Sequence, residues 1–201
     1  MALTPSTMLE LGTAAPGFTL PDTERRVVSL DEVFAGDRPG LVMFICNHCP
    51  YVKHVAPELA RLGRDYGDRV GIVAIQSNDV EAYPDDSPEK MVEEKAAWGW
   101  SFPYLYDADQ SVAKAYTAAC TPDFFLFDAR RRLVYRGQLD DTRPHRISSG
   151  NYDDRNGAAN GKDLRAALDA VLAGEAVSAD QRPSMGCNVK WAPGNAPAYF
   201  G

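Results

Sequence analysis

The sequence predicts a three-layer α/β domain, a central mixed β-sheet with helices on both faces. Three stretches carry that reading. LVMFI (residues 41–45) and RVGIVAIQS (69–77) are continuous apolar runs of the length expected for strands buried on both faces. The segment between them has apolar residues at helical spacing, so the three form a βαβ unit whose strands are parallel neighbours. Further on, DFFLFDARRRLVYRGQL (123–139) reads as two strands around a short turn, which adds an antiparallel hairpin.

The helix of the βαβ unit is read from Val52, Val55, Leu59 and Leu62, with Gly67 as its stop and a kink expected at Pro57. SPEKMVEEKAAWGW (87–100) opens with Ser87 as N-cap, Pro88 at the first helical position and acids in the first turn, and is a helix. SVAKAYTA (111–118) is a shorter one, and GKDLRAALDAVLAGE (161–175) is the last. Polar residues 143–160 and the tail after Ala176 read as loops. Within that tail, Gly186 suits a tight turn and Trp191 an apolar anchor. Residues 177–201 are therefore expected to pack back onto one domain spanning 1–201.

With 201 residues and 45% hydrophobic content, the chain can bury a sizeable core. Its formal net charge of −7 argues against a nucleic-acid partner, which selects for clustered Lys and Arg. The only basic run, Arg130–Arg132, falls where the hairpin turns. No stretch is long and apolar enough for a membrane span, and the N-terminus lacks the charged and apolar regions of a signal peptide. A cytoplasmic location without a membrane partner is expected. Thiols are kept reduced there, so four cysteines point to redox or metal chemistry rather than a disulfide scaffold.

FICNHCPYVKH (44–54) concentrates that chemistry, with Cys46, His48, Cys49 and His54 immediately after a buried strand. A thiolate is the reactive form of cysteine, and a helix N-terminus stabilises it through unpaired N–H groups and the helix dipole. Placing Cys46 at that terminus, with His48 adding positive charge, would make it the more acidic thiol. A second reading has Cys46, Cys49 and His48 or His54 bind copper or zinc, since Cys and His are suitable donors. A third treats the two thiols as inert core. The amphipathic pattern places His54 on a solvated helix face.

A CxxC between a buried strand and a helix, with TP (Thr121-Pro122) ahead of a hairpin, resembles the thioredoxin fold. TAAPGFTLPDTERRVVSLDEV, CNHCPYV, ACTPDFFLFD and PSMGCNVKW together resemble the redoxin branch, the bacterial thioredoxin-family or peroxiredoxin-like proteins, over nearly the whole chain. The resemblance implies a thiol–disulfide oxidoreductase with Cys46 as nucleophile and Cys49 as resolving thiol, and no bound organic cofactor. Its partners would be protein or small-molecule disulfides and thiols. It further implies a cis peptide at Thr121-Pro122 beside the cysteines, with Thr121 offering backbone groups to an extended substrate. Ile45 and Gly40 depart from the thioredoxin pattern of Trp and buried Asp at those positions. A peroxiredoxin alignment instead makes Cys49 the peroxidatic residue, with peroxide as substrate and Cys46 replacing the usual Thr. Cys120 and Cys187 are expected to approach each other as a second redox pair or a staple.

Overall fold

The computed structural model describes residues 3–148 and 150–200. In chain order its elements are β1 (Leu3–Pro5), β2 (Thr19–Pro21), β3 (Val27–Ser29), α1 (Leu30–Val33), β4 (Gly40–Phe44), α2 (Pro50–Tyr66) and β5 (Gly71–Gln76). A 3-10 turn (Pro84–Asp86) then leads to α3 (Pro88–Trp98), β6 (Tyr104–Tyr106), α4 (Ser111–Ala115), β7 (Cys120–Thr121), β8 (Asp123–Phe127) and β9 (Leu133–Gly137). The chain finishes with β10 (His145–Ser148), β11 (Asn151–Asp153), α5 (Lys162–Ala173) and β12 (Met185–Asn188).

The central sheet has the order β6-β5-β4-β8-β9, parallel across β6-β5-β4 and antiparallel beyond. Strand alternation sorts its side chains into two cores. Leu41, Met43, Ile72, Ala74, Phe124 and Leu126 pack with Val55, Leu59 and Leu62 of α2 and Leu164 and Leu168 of α5. Val42, Phe44, Val73, Ile75, Phe125 and Phe127 pack against α1 and α4 on the other face. Every residue of β4, β5 and β8 is buried, which explains why these strands read as unbroken apolar runs.

Local side chains and turn residues fix several element ends. Ser29 and Glu32 form a reciprocal capping box at α1. Ser87 caps α3 by accepting from the Lys90 amide, and Gly99 ends it in the left-handed region. The Arg130–Arg132 run is the hairpin turn, held by Asp128 Oδ1 accepting from the Arg130 and Arg132 amides. Helix α2 continues through Pro57 to Gly67.

Elsewhere the fold corrects the reading. The loop expected over 143–160 contains the antiparallel hairpin β10–β11. Its strands show no apolar alternation because they lie outside both cores, so period-2 patterning is absent. The tail after Ala176 contains β12, the middle strand of a second sheet ordered β1-β12-β7. This pairing docks the tail through backbone bonds, which its composition does not display. Gly186 permits the docking by its lack of a side chain, since a Cβ there would lie 2.0 Å from the Thr121 carbonyl oxygen.

That contact generates a stability test. Gly186→Ala drives a methyl into rigid backbone and should lower unfolding stability by roughly 1–3 kcal/mol, read as a lower urea midpoint at unchanged slope. Gly17→Ala is the control, because nothing lies within 4 Å of its would-be Cβ. Equal midpoints for the two variants would contradict the close β12–β7 approach.

Candidate active site

Cys46, Asn47 and His48 lie in the turn between β4 and α2, and Cys49 is the N-cap of α2, which has Pro50 at its start. The helix terminus therefore falls at Cys49, three residues beyond the expected position of Cys46. Proline at the first helical position sets this start, because its fixed φ suits a first turn that needs no N–H donor there. Both cysteines are buried, Cys46 at 1% and Cys49 at 0% exposure.

The Thr121-Pro122 peptide is cis, and Thr121 meets both sulfurs. Its hydroxyl lies 3.3 Å from Cys46 Sγ, and its carbonyl oxygen accepts from the Cys49 thiol at 3.3 Å. Along the other edge of Thr121 runs β12, with Cys187 directly opposite it in register. The edge at which the resemblance leads one to expect an extended substrate is paired with the chain's own tail.

The turn carrying the cysteines is held by Asp86, which is fully buried. Its Oδ1 accepts from the Asn47 and His48 amides at 2.8 and 3.2 Å. Its Oδ2 accepts from Asn78 Nδ2 at 2.8 Å and bonds His48 Nδ1 at 2.6 Å. Tyr104 completes the clamp by donating to Asn47 Oδ1, and the His48 ring stacks on Tyr83. Nothing in the run PDDSPEK distinguishes Asp86 from Asp85; only the tertiary fold buries one and exposes the other.

Electrostatics divide the cysteines unequally. Burial raises the Cys46 thiol, and the hydrogen bond and charge of Cys49 and the carboxylate of Asp86 raise it further, outweighing the Thr121 hydroxyl. Burial also raises Cys49, but hydrogen bonds from the Cys187 and Cys46 thiols and the first-turn amide of Val52 bring it well below the usual thiol value. Burial and the charges of Cys49 and Asp86 thus work against the expectation that Cys46 is the more acidic thiol. His48 does not act on Cys46 as an isolated positive charge, because it is tied to Asp86, whose charge works the other way.

The remaining predicted residues separate. Antiparallel partners share a face, and Cys187 faces Thr121 whereas Cys120 faces Asn188. Cys187 thus joins the core cluster of Cys46 and Cys49, and hydrogen bonding links it to Cys49. Cys120 points to the opposite side, toward the carbonyls of Pro122 and Ser184, so the two do not pair as expected. His54 is not solvated: it is buried and bonded to Asp154 and Thr142. The expected copper or zinc set is not assembled, since Cys49 and His54 lie outside the one grouping among the described residues, Cys46, His48 and Asp86. Asp86 already receives four hydrogen bonds there, which suits an anchor better than a metal ligand.

Beside the site, Asp123 opens β8 opposite Phe44, and neither carboxylate oxygen has a hydrogen-bond partner among the described residues. The Ser6 hydroxyl and the Phe124 and Ala119 amides lie near without good bonding geometry, and burial pushes the carboxyl up to about 7.

Comparison with known proteins places this geometry. The family model described as AhpC/TSA matches residues 11–136. A Mycobacterium tuberculosis protein provisionally named a peroxiredoxin is 33% identical over 116 residues, 58% of this chain and 69% of its own. The thiol-disulfide oxidoreductase YkuV of Bacillus subtilis is 26% identical over 102 residues, 51% of this chain and 68% of its own. The crystal structure of a conserved protein from Geobacillus kaustophilus superposes with a TM-score of 0.87 at 50% identity, covering 96% of this chain and 98% of that one. The thioredoxin domain of a thiol-disulfide oxidoreductase from Bacteroides vulgatus superposes at 0.52 with 21% identity, over 64% and 88%. The fold is the thioredoxin fold.

Two predictions follow from the buried carboxylates. Asp86→Asn removes the negative charge beside Cys46 and should lower that thiol's pKa, so its alkylation, followed by mass spectrometry, shifts to lower pH. An unchanged or raised alkylation profile would contradict the assigned cause. For Asp123, the folded chain holds a proton between pH 3.8 and about 7 that the unfolded chain has released. Stability should therefore fall as pH rises across that window, by at most roughly 4 kcal/mol at ~1.4 kcal/mol per pH unit. In Asp123→Asn this slope should vanish, which urea titrations at pH 4 and pH 8 would measure.

Proposed function

Because the chain belongs to the AhpC/TSA family, we propose that Cys46 and Cys49 are the dithiol/disulfide centre of a thiol–disulfide oxidoreductase. The observation that carries this reading is Thr121, which engages both sulfurs beside the cis proline. Cys49, drawn toward the thiolate, attacks one sulfur of an incoming disulfide and releases the first substrate thiol. Cys46 then attacks Cys49 Sγ in that mixed disulfide, releasing the second thiol and leaving a Cys46–Cys49 disulfide. The two protons needed are those the two cysteines give up. His48 spends Nδ1 on Asp86 and offers Nε2 to protonate a leaving thiolate.

Access favours small substrates. The sulfurs are buried and β12 covers the edge of Thr121. His48, which adjoins Cys46, borders a groove of about 350 Å³ with Pro50, Lys53, Pro144 and Tyr152, and we take this groove as the route to the sulfurs. A small-molecule disulfide fits this route better than an extended protein segment. The same observations favour a second reading, a thiol peroxidase in which Cys49 attacks peroxide and Cys46 resolves the sulfenic acid.

An assay of the purified protein separates the two, with dithiothreitol as reductant and a small disulfide or hydrogen peroxide as oxidant. Disulfide turnover should fall on the order of a thousandfold or more in Cys49→Ser and in Cys46→Ser. Full turnover retained in either variant would overturn the two-cysteine centre. Peroxide consumption lost in Cys49→Ser, with a single stoichiometric burst retained in Cys46→Ser when no reductant is added, would establish the peroxidase reading instead.

A further inference from the structure

Cys187 lies far beyond the segment matched by the family model, yet it belongs to the same buried cluster as Cys46 and Cys49. Three observations place its sulfur there by construction. Strand β12 runs antiparallel to β7 with Cys187 opposite Thr121, so both side chains share the face on which Thr121 meets the two sulfurs. Gly186 lets this strand lie against the Thr121 carbonyl, where any side chain would collide. Hydrogen bonding joins the Cys187 and Cys49 thiols, as it joins those of Cys46 and Cys49. The tail therefore occupies the edge on which an extended substrate would pair, and it presents a cysteine there.

We propose that Cys187 is a third member of the redox centre, an internal substrate thiol that takes the disulfide over from Cys46. The proposal rests on the thiol–disulfide reading above. In the step, the Cys187 thiolate attacks Cys49 Sγ of the Cys46–Cys49 disulfide. The Cys49–Cys187 bond forms as the Cys46–Cys49 bond breaks, and Cys46 leaves as a thiolate. The proton released by Cys187 goes to Cys46. The exchange is an isomerisation, so it needs no oxidant beyond the one that made the first disulfide. Afterwards Cys46 is again a thiol beside His48, and the oxidised bond lies under the tail. Cys120 takes no part, because it points to the other side of the sheet toward the Ser184 carbonyl.

The test maps disulfides in the oxidised full-length protein. The reduced protein is treated with a small disulfide, quenched in acid, alkylated, digested and analysed by mass spectrometry, alongside Cys46→Ser, Cys187→Ala and Cys120→Ser. In the wild type the expected result is a Cys49–Cys187 linked peptide beside the Cys46–Cys49 one, with Cys187 losing its alkyl adduct. In Cys46→Ser the Cys49–Cys187 link should be the product, in Cys187→Ala only Cys46–Cys49 should form, and Cys120→Ser should match the wild type. Cys187 fully alkylated in oxidised wild type would overturn the proposal, and this measurement needs no variant to fold. If Cys46–Cys49 still forms and turns over in that case, only the third-thiol proposal fails. If neither disulfide forms and no turnover is seen, the two-cysteine reading fails with it.

Discussion

Thr121 is where the site's parts meet. Its hydroxyl faces one sulfur, its carbonyl faces the other, its peptide to Pro122 is cis, and its free edge pairs with the tail. Moving any one of these elements moves the others, because a short polar residue with one hydroxyl and one carbonyl serves two cysteines at once. The surrounding core supplies the rigidity that this arrangement needs. Strand β4, which runs into the turn holding Cys46, and strand β8, which follows Thr121-Pro122, pair along their whole length and are buried on both faces.

The second constraint is the buried carboxylate of Asp86. A carboxylate without solvent is costly unless hydrogen bonds compensate it, and here four donors do. Three of them come from Asn47 and His48, between the cysteines, so the charge that needed compensation shapes the turn that carries them. The same charge adds to the burial that opposes ionisation of Cys46, whereas Cys49 has donors on several sides. Burial and the hydrogen bonding among Cys46, Cys49 and Cys187 dominate the acidity of the pair, and Asp86 adds to the rise at Cys46.

Family and fold agree with this architecture at different depths. The match to the AhpC/TSA family covers the βαβ unit and the following hairpin, the segments that build the sheet and place both cysteines. It stops well short of β12, while the structure from Geobacillus kaustophilus spans 96% of the chain. The tail strand therefore lies outside the segment that the family model matches, and it pairs with the strand that ends at Thr121.

The sequence by itself determined the layered α/β arrangement, because strands buried on both faces must be continuously apolar and helices must repeat near 3.6 residues. It marked the CNHC stretch through residue types and spacing, and Thr121-Pro122 through the resemblance to the thioredoxin fold. What it did not decide was anything that depends on register or on distant partners. Whether Cys187 faces Cys49 or Cys120 turns on strand parity, since a shift of one residue exchanges the two faces of β12. Whether His54 is solvated or buried depends on Thr142 and Asp154, which come from a segment whose polar composition hides its strands. Which of two adjacent aspartates anchors the site, and which cysteine caps the helix, followed from packing and from where Pro50 starts α2. Those are properties of three-dimensional neighbourhood, and the linear pattern of apolar and polar residues carries no record of them.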